Sequence, residues 1–164
     1  MRNFDWTKFT KRIAVKADIK DIYNAWTSAS GIEKWFLSNA DYGDGNGKTV
    51  DKQALIAGGY SYAWSWFLYD VVERGKIISV NGSDHIQFTF AGECLVDVKL
   101  KTVDDYVLVE LTQTNIPTDD ESKQRIRLGC DSGWSFYLMN LKSYYESGHD
   151  LRNKNEAFKG MINN

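Results

Sequence analysis

Two cysteines and two histidines in 164 residues leave little material for a metal centre or a thiol-based site. Cys94 and Cys130 stand singly in apolar or small-residue surroundings, and no His/Cys/Asp cluster has metal-ligand spacing. No metal and no cofactor is therefore expected. His85 opens a strand after a turn and His149 follows a helix stop, positions that favour exposure over catalysis. Basic runs are absent and the formal net charge is −2, so the electrostatic footprint of a nucleic-acid or anionic-membrane binder is missing. No apolar run approaches the ~18 residues that suggest a membrane-spanning helix. No signal-peptide pattern is present either, which makes cytoplasm the expected compartment and reduced, buried thiols the expected state of both cysteines. There is one proline, Pro117, and no repeat, low-complexity tract or linker. One domain over residues 1–164 is expected, with its core in 4–148 and a C-terminal extension in 149–164 that could add a short helix.

Familiar catalytic and binding motifs fail in the same way. Gly47-Lys48-Thr49 resembles the end of a phosphate-binding loop, but Tyr42 stands where that loop needs glycine, and strand and helix do not flank it. Asp41, Asp44 and Asn46 lack the spacing and terminal glutamate of a calcium loop. Ser132, within Gly129-Cys130-Asp131-Ser132-Gly133, has neither the spacing nor the strand-to-helix turn of a nucleophile elbow. No catalytic residue is assigned.

What the chain has in excess is aromatic surface: 6 Trp, 9 Tyr and 8 Phe, 14% of its residues. Aromatics fill cores and line pockets alike, so their placement has to decide. The run from Phe9 to Val15 is β-prone. Asp18 reads as a helix N-cap, and Ile19, Ile22, Tyr23 and Trp26 follow at helical spacing. Ser30 with Glu33 reads as a capping box for a second short helix carrying Ile32, Trp35 and Phe36. Residues 43–49 read as a polar turn. The period then switches to two. Tyr60, Tyr62, Trp64 and Trp66 alternate with small residues, and strands follow over Arg74 to Val80, Ile86 to Phe90, Val96 to Leu100 and Val107 to Leu111. Turn signals at Asn81-Gly82-Ser83, Ala91-Gly92 and Asp104-Asp105 separate them, which describes an antiparallel meander with one buried face.

From Pro117 to Gly148 the pattern predicts one helix of about 30 residues, roughly 45 Å long. Thr118 and Glu121 supply its expected capping box and Gly148 its stop. Ile126, Cys130, Gly133, Trp134, Tyr137, Leu141 and Tyr144 form its apolar stripe. Gly129 and Gly133 each cost about 1 kcal/mol of helix propensity relative to Ala. Two explanations stay open: close approach of helix to sheet, or space beneath the helix for a ligand.

The order of these pieces resembles a known superfamily. Ala25-Trp26-Thr27, Gly31-Ile32-Glu33-Lys34-Trp35-Phe36, Gly58-Gly59-Tyr60, the meander, and Gly133-Trp134 with Leu138 and Leu141 together resemble the START-like (SRPBCC, helix-grip) superfamily. Within it, the likeness is to the activator of Hsp90 ATPase homologue 1-like family. The resemblance implies an α+β, Bet v1-like fold: a curved antiparallel sheet wrapped around the long C-terminal helix, with two short helices after the first strand and an apolar cavity between helix and sheet.

On that footing the expected function is non-enzymatic binding of a small hydrophobic or aromatic ligand. The residues expected at the cavity are Tyr60, Tyr62, Trp64, Trp66, Phe88, Phe90, Val98, Val109, Gln113, Gly129, Gly133, Trp134 and Tyr137. A cyclase or hydrolase in the same cavity is the alternative, with Asp97, Glu110 and His85 as its acid–base candidates, although strand parity puts the two carboxylates on the wet face. An Hsp90-type chaperone partner follows from the family name alone, and a homodimer is left open.

Overall fold

A computed structural model of the chain describes residues 4–162; the ends of the expected 1–164 span lie outside the described residues. Seven strands form one antiparallel sheet: β1 (Phe9–Val15), β2 (Asn39–Gly43), β3 (Ser61–Ser65), β4 (Val72–Val80), β5 (His85–Phe90), β6 (Cys94–Val103) and β7 (Tyr106–Thr114). Their spatial order is β1-β7-β6-β5-β4-β3-β2. The meander from β2 to β7 pairs each strand with its successor, and β1 closes the sheet beside β7, with Ile13 opposite Val109. Two short helices, α1 (Ile19–Thr27) and α2 (Ala29–Ile32), follow β1. A helical run over residues 120–147 grips the concave face, which is the helix-grip arrangement expected.

Period-two alternation explains which face that is. Val96, Val98 and Leu100 on β6 and Val107, Val109, Leu111 and Gln113 on β7 are buried, and their neighbours in sequence point to solvent. Against them pack Trp134, Leu138 and Leu141 of the long helix and Ile22, Trp26, Ile32 and Trp35 from the α1–α2 region. At about 25 cal/mol per Å² of apolar surface removed from water, this layer is the main source of stability.

Several local expectations need correction. The long helix is capped by Asp119, whose carboxylate accepts from the Ser122 N–H at 2.9 Å, and not by Thr118; Asp119 is the last residue with extended backbone. Glu121 therefore closes no capping box and pairs with Arg125 instead. Nor is the helix uniform. One α turn, α3 (Asp120–Ser122), leads into a π-helical segment, Lys123–Leu128, before α4 (Gly129–Ser147). Its stop holds: Gly148 adopts φ 72° and donates its N–H to the Tyr144 carbonyl.

In α2 the cap is Ser28, where the chain turns extended after α1. Ser30 already lies inside the helix. Trp35 and Phe36 follow α2 in a turn, and Glu33 reaches the Ala40 N–H and Lys52. The turn expected over 43–49 is preceded by β2, which the sequence reading passed over. There the Asp44 carboxylate accepts the N–H groups of Asn46 and Lys48, so this acidic residue serves the turn itself.

The C-terminal extension is tied down. Arg152 is buried, and its guanidinium donates to the carbonyls of Leu37, Glu33 and Lys34 at 2.9–3.0 Å and to Asp150 at 2.8 Å. A 3-10 turn, Glu156–Phe158, follows. Among the described residues no helix is long and apolar enough to cross a membrane.

Candidate functional site

The long helix is fixed along β1. Lys11 reaches Asp131 at 2.6 Å, the Lys142 ammonium donates to the Ala14 carbonyl at 2.8 Å, and the Lys16 N–H donates to Glu146 at 2.9 Å. On its other side the helix stands off from the ends of β3 and β5, leaving a cleft of about 930 Å³. Trp66 and Phe90 come from the ends of β3 and β5, and Phe36 from the turn after α2. Tyr69 and Val71 belong to the segment between β3 and β4. Gly129, Cys130, Gly133, Trp134 and Tyr137 belong to α4, and Met161 and Ile162 to the extension.

The two glycines are at home here because nothing opposes them. A Cβ at Gly133 would meet nothing within 4 Å, and one at Gly129 only the Gln124 carbonyl at 3.8 Å. Close approach to the sheet is thereby excluded as their reason, and open space remains. The π-helical segment ends at Leu128, immediately before Gly129; such segments recur at functional sites.

Of the residues expected at a cavity, Trp66, Phe90, Gly129, Gly133, Trp134 and Tyr137 border this cleft. Tyr62, Trp64, Phe88, Val98, Val109 and Gln113 lie behind it in the packed core, and Tyr60 is half-buried beside that core. The reason is ring packing. Trp64 is stacked on Tyr62 at 3.9 Å and set edge-on to Phe88 at 5.2 Å, which fills the space the alternation suggested. The Tyr62 hydroxyl donates to the Thr89 carbonyl at 2.6 Å, and burial raises its pKa. The sequence reading missed the cleft roles of Phe36, Tyr69, Val71, Met139, Met161 and Ile162. Phe67-Leu68-Tyr69, an apolar triplet where a polar turn would be ordinary, was the available signal for the outer wall.

That wall is held by the extension. The Arg152 and Lys154 cations sit over the Phe67 ring at 5.2 and 4.8 Å, and Lys159 approaches Asp70 at 3.6 Å. Leu68 has φ 64°, a left-handed conformation costly for a bulky side chain.

Polar groups at the cleft are few. Arg125 is paired with Glu121 at 2.7 Å, and the Ser135 hydroxyl donates to the Asp131 carbonyl. Burial pushes the Cys130 thiol up to about 11 and raises Tyr137 as well, so both are protonated at neutral pH. Among the described residues, no Asp, Glu or His lines the cleft. Among the described residues, no group of three or more His, Cys, Asp or Glu could hold a metal ion.

The acid–base candidates sit elsewhere. His85 Nε2 and Asp97 are 2.9 Å apart on the outer face of the sheet, with Gln87 donating to the same carboxylate, and Glu110 pairs with Arg12 at 2.6 Å. Cys94 is at the far end of the β5–β6 pair from His85: Phe90 opposes Cys94, and His85 opposes Lys99.

The family model described as Activator of Hsp90 ATPase homolog 1-like protein matches residues 16–146. Among solved structures, that of the Aha1 dimer from Colwellia psychrerythraea superposes with a TM-score of 0.66 at 21% identity, covering 86% of this chain and 97% of that one. A protein from Staphylococcus saprophyticus gives 0.67 at 17% identity, covering 88% and 96%. DynU16, a protein of the dynemicin biosynthetic locus, gives 0.68 at 17% identity, covering 90% of this chain and 50% of that one. At such identities the likeness is one of fold. No curated protein matches the sequence.

Proposed function

This chain belongs to the activator of Hsp90 ATPase homolog 1-like family, and on that premise we propose that it binds a small hydrophobic or aromatic ligand in the cleft beside α4 without transforming it. One observation carries the reading. A space of about 930 Å³, within the range of ligand sites, borders two helical glycines whose Cβ positions are empty. Its walls are mainly aromatic and aliphatic. A lining without carboxylate or imidazole supports binding over acid–base catalysis, since the His85–Asp97 pair is on the opposite face of the sheet.

Titration with Nile red, an uncharged apolar dye, tests this. Saturable binding is expected, with a blue-shifted dye emission and quenching of tryptophan fluorescence, because Trp66 and Trp134 form part of the wall. Gly133→Leu places a side chain in the cleft and should weaken binding by at least about tenfold while leaving the circular dichroism spectrum unchanged. Dye that fails to saturate, or affinity indifferent to Gly133→Leu, would overturn the proposal.

A further inference from the structure

Among the described residues two buried side-chain donors lack a partner, Trp26 Nε1 and Gln113 Nε2, and both residues neighbour Trp134. Gln113 is the more telling. It lies on the inner face of β7, opposite Phe9 on β1 and Val96 on β6, and is 0% exposed. Its orientation is set by chemistry. Trp134 Nε1–H donates to Gln113 Oε1 at 3.1 Å, and flipping the amide would bring donor against donor. The Nε2 end is therefore held away from the indole. The groups it influences are the thiols of Cys130 and Cys94, whose ionisation is chiefly opposed by burial and is eased by the Gln113 amide. A thiol is a weak acceptor, so the demand of the two N–H groups goes largely unmet.

Both Cys130 and Trp134 border the cleft. The orphan amide thus sits one side chain behind its floor, in an otherwise apolar layer. A ligand that parts the Trp134 indole from the Phe90 ring, packed 5.2 Å apart in the empty cleft, and turns Cys130 aside would present its leading atom to this donor.

We propose that Gln113 is the polar recognition point of the cleft, and that the ligand is a flat aromatic carbonyl compound whose C=O accepts from Gln113 Nε2. This rests on the cleft being a ligand site and adds the chemical class of its occupant. A site built around a waiting donor discriminates against an analogue that lacks the acceptor.

The matched pair 2-acetylnaphthalene and 2-ethylnaphthalene, titrated against the full chain, separates the two claims. The hydrocarbon tests the apolar cleft alone, and the ketone adds only the oxygen. Tighter binding of the ketone by about tenfold or more is expected, with that preference lost in Gln113→Leu. Because Gln113→Leu also strips Trp134 of its acceptor, a measurement on the unaltered protein stands beside it. The infrared carbonyl stretch of bound 2-acetylnaphthalene should fall below its value in hexane, as a hydrogen-bonded ketone does. Equal affinities, a preference that survives Gln113→Leu, or a stretch matching hexane overturns the assignment of Gln113 while leaving the cleft standing. Failure of both probes to bind brings down both readings.

Discussion

The two flanks of the long helix are held in opposite ways. Along β1 the ties are polar and short: Lys11 to Asp131, Lys142 to the Ala14 carbonyl, and Glu146 to the Lys16 N–H. On the far flank the helix meets rings. Trp134 lies 4.9 Å from Phe36 and 5.2 Å from Phe90, and Phe36 lies 4.8 Å from Tyr137. Beyond those rings is the cleft. A helix fixed by several polar ties on one side can leave apolar surface uncovered on the other without drifting. Such surface forgoes about 25 cal/mol per Å² of burial, and a position where glycine replaces a better helix former adds to the cost. The difference teaches that the open flank is a built feature of the fold, because rigidity is supplied elsewhere.

The comparison breaks most visibly at Arg152, which joins the packed α2 region to the cleft's outer wall. Arg152→Ala leaves three carbonyls without this donor, takes one partner from the Asp150 carboxylate, which keeps Lys154 and Asn140, and removes one of the two cations over Phe67. A loss of about 3 kcal/mol is expected in urea unfolding, within the usual cost of breaking a buried pair. Dye should also exchange faster, since the wall loses its clamp. Unchanged stability would show that the extension only rests on the surface.

Glycines sharpen the contrast at smaller scale. Gly31, packed where α1 meets α2, has no room: a Cβ there would sit 2.2 Å from the Asn24 carbonyl oxygen. Gly31→Ala should cost about 2 kcal/mol, as overpacking does. Gly133→Ala should instead raise stability by up to about 1 kcal/mol, the gain of helix propensity with no clash to offset it. Thermal or urea unfolding of both variants reads this directly. Similar losses at both sites would mean the cleft closes in solution.

Much of this was legible in the sequence, where local signals and tertiary structure agree. Period-two alternation from Val96 to Leu100 and from Val107 to Leu111 marked the inner face, and the Asp18 cap and Gly148 stop were read in place. Failures came where neighbours compete or partners are remote. Thr118 and Asp119 are both good caps, and only backbone geometry chooses. Asn39–Gly43 has poor strand propensity and is extended because β3 pairs with it. Tyr62, Trp64 and Phe88 carried the right parity, but parity cannot tell a filled layer from a hollow one. Arg152 had little local signal, since apart from Asp150 its acceptors are the carbonyls of 33, 34 and 37 around the end of α2, more than a hundred residues away.

The gentlest test titrates that clamp. Burial alone would raise the Asp150 pKa, but hydrogen bonds from Arg152 and Lys154 outweigh it and hold the carboxyl well below its ordinary value of 3.8. A depressed pKa means that the unfolded chain takes up the proton first. Asp150 therefore contributes its full stabilisation above that ordinary value, and the contribution drains away as pH falls below it toward the folded value. Glu146, lowered by Lys142, behaves likewise on the β1 flank, so acid loosens both sides and wild-type data alone cannot separate them. Asp150→Asn removes one titration and keeps the other. Urea unfolding from pH 7 to 3 should show the variant less stable at neutral pH, with the gap to wild type narrowing only below about pH 4. Two parallel curves would mean that Asp150 ionises alike in folded and unfolded chains, and that its charge adds nothing to the clamp on the cleft's outer wall.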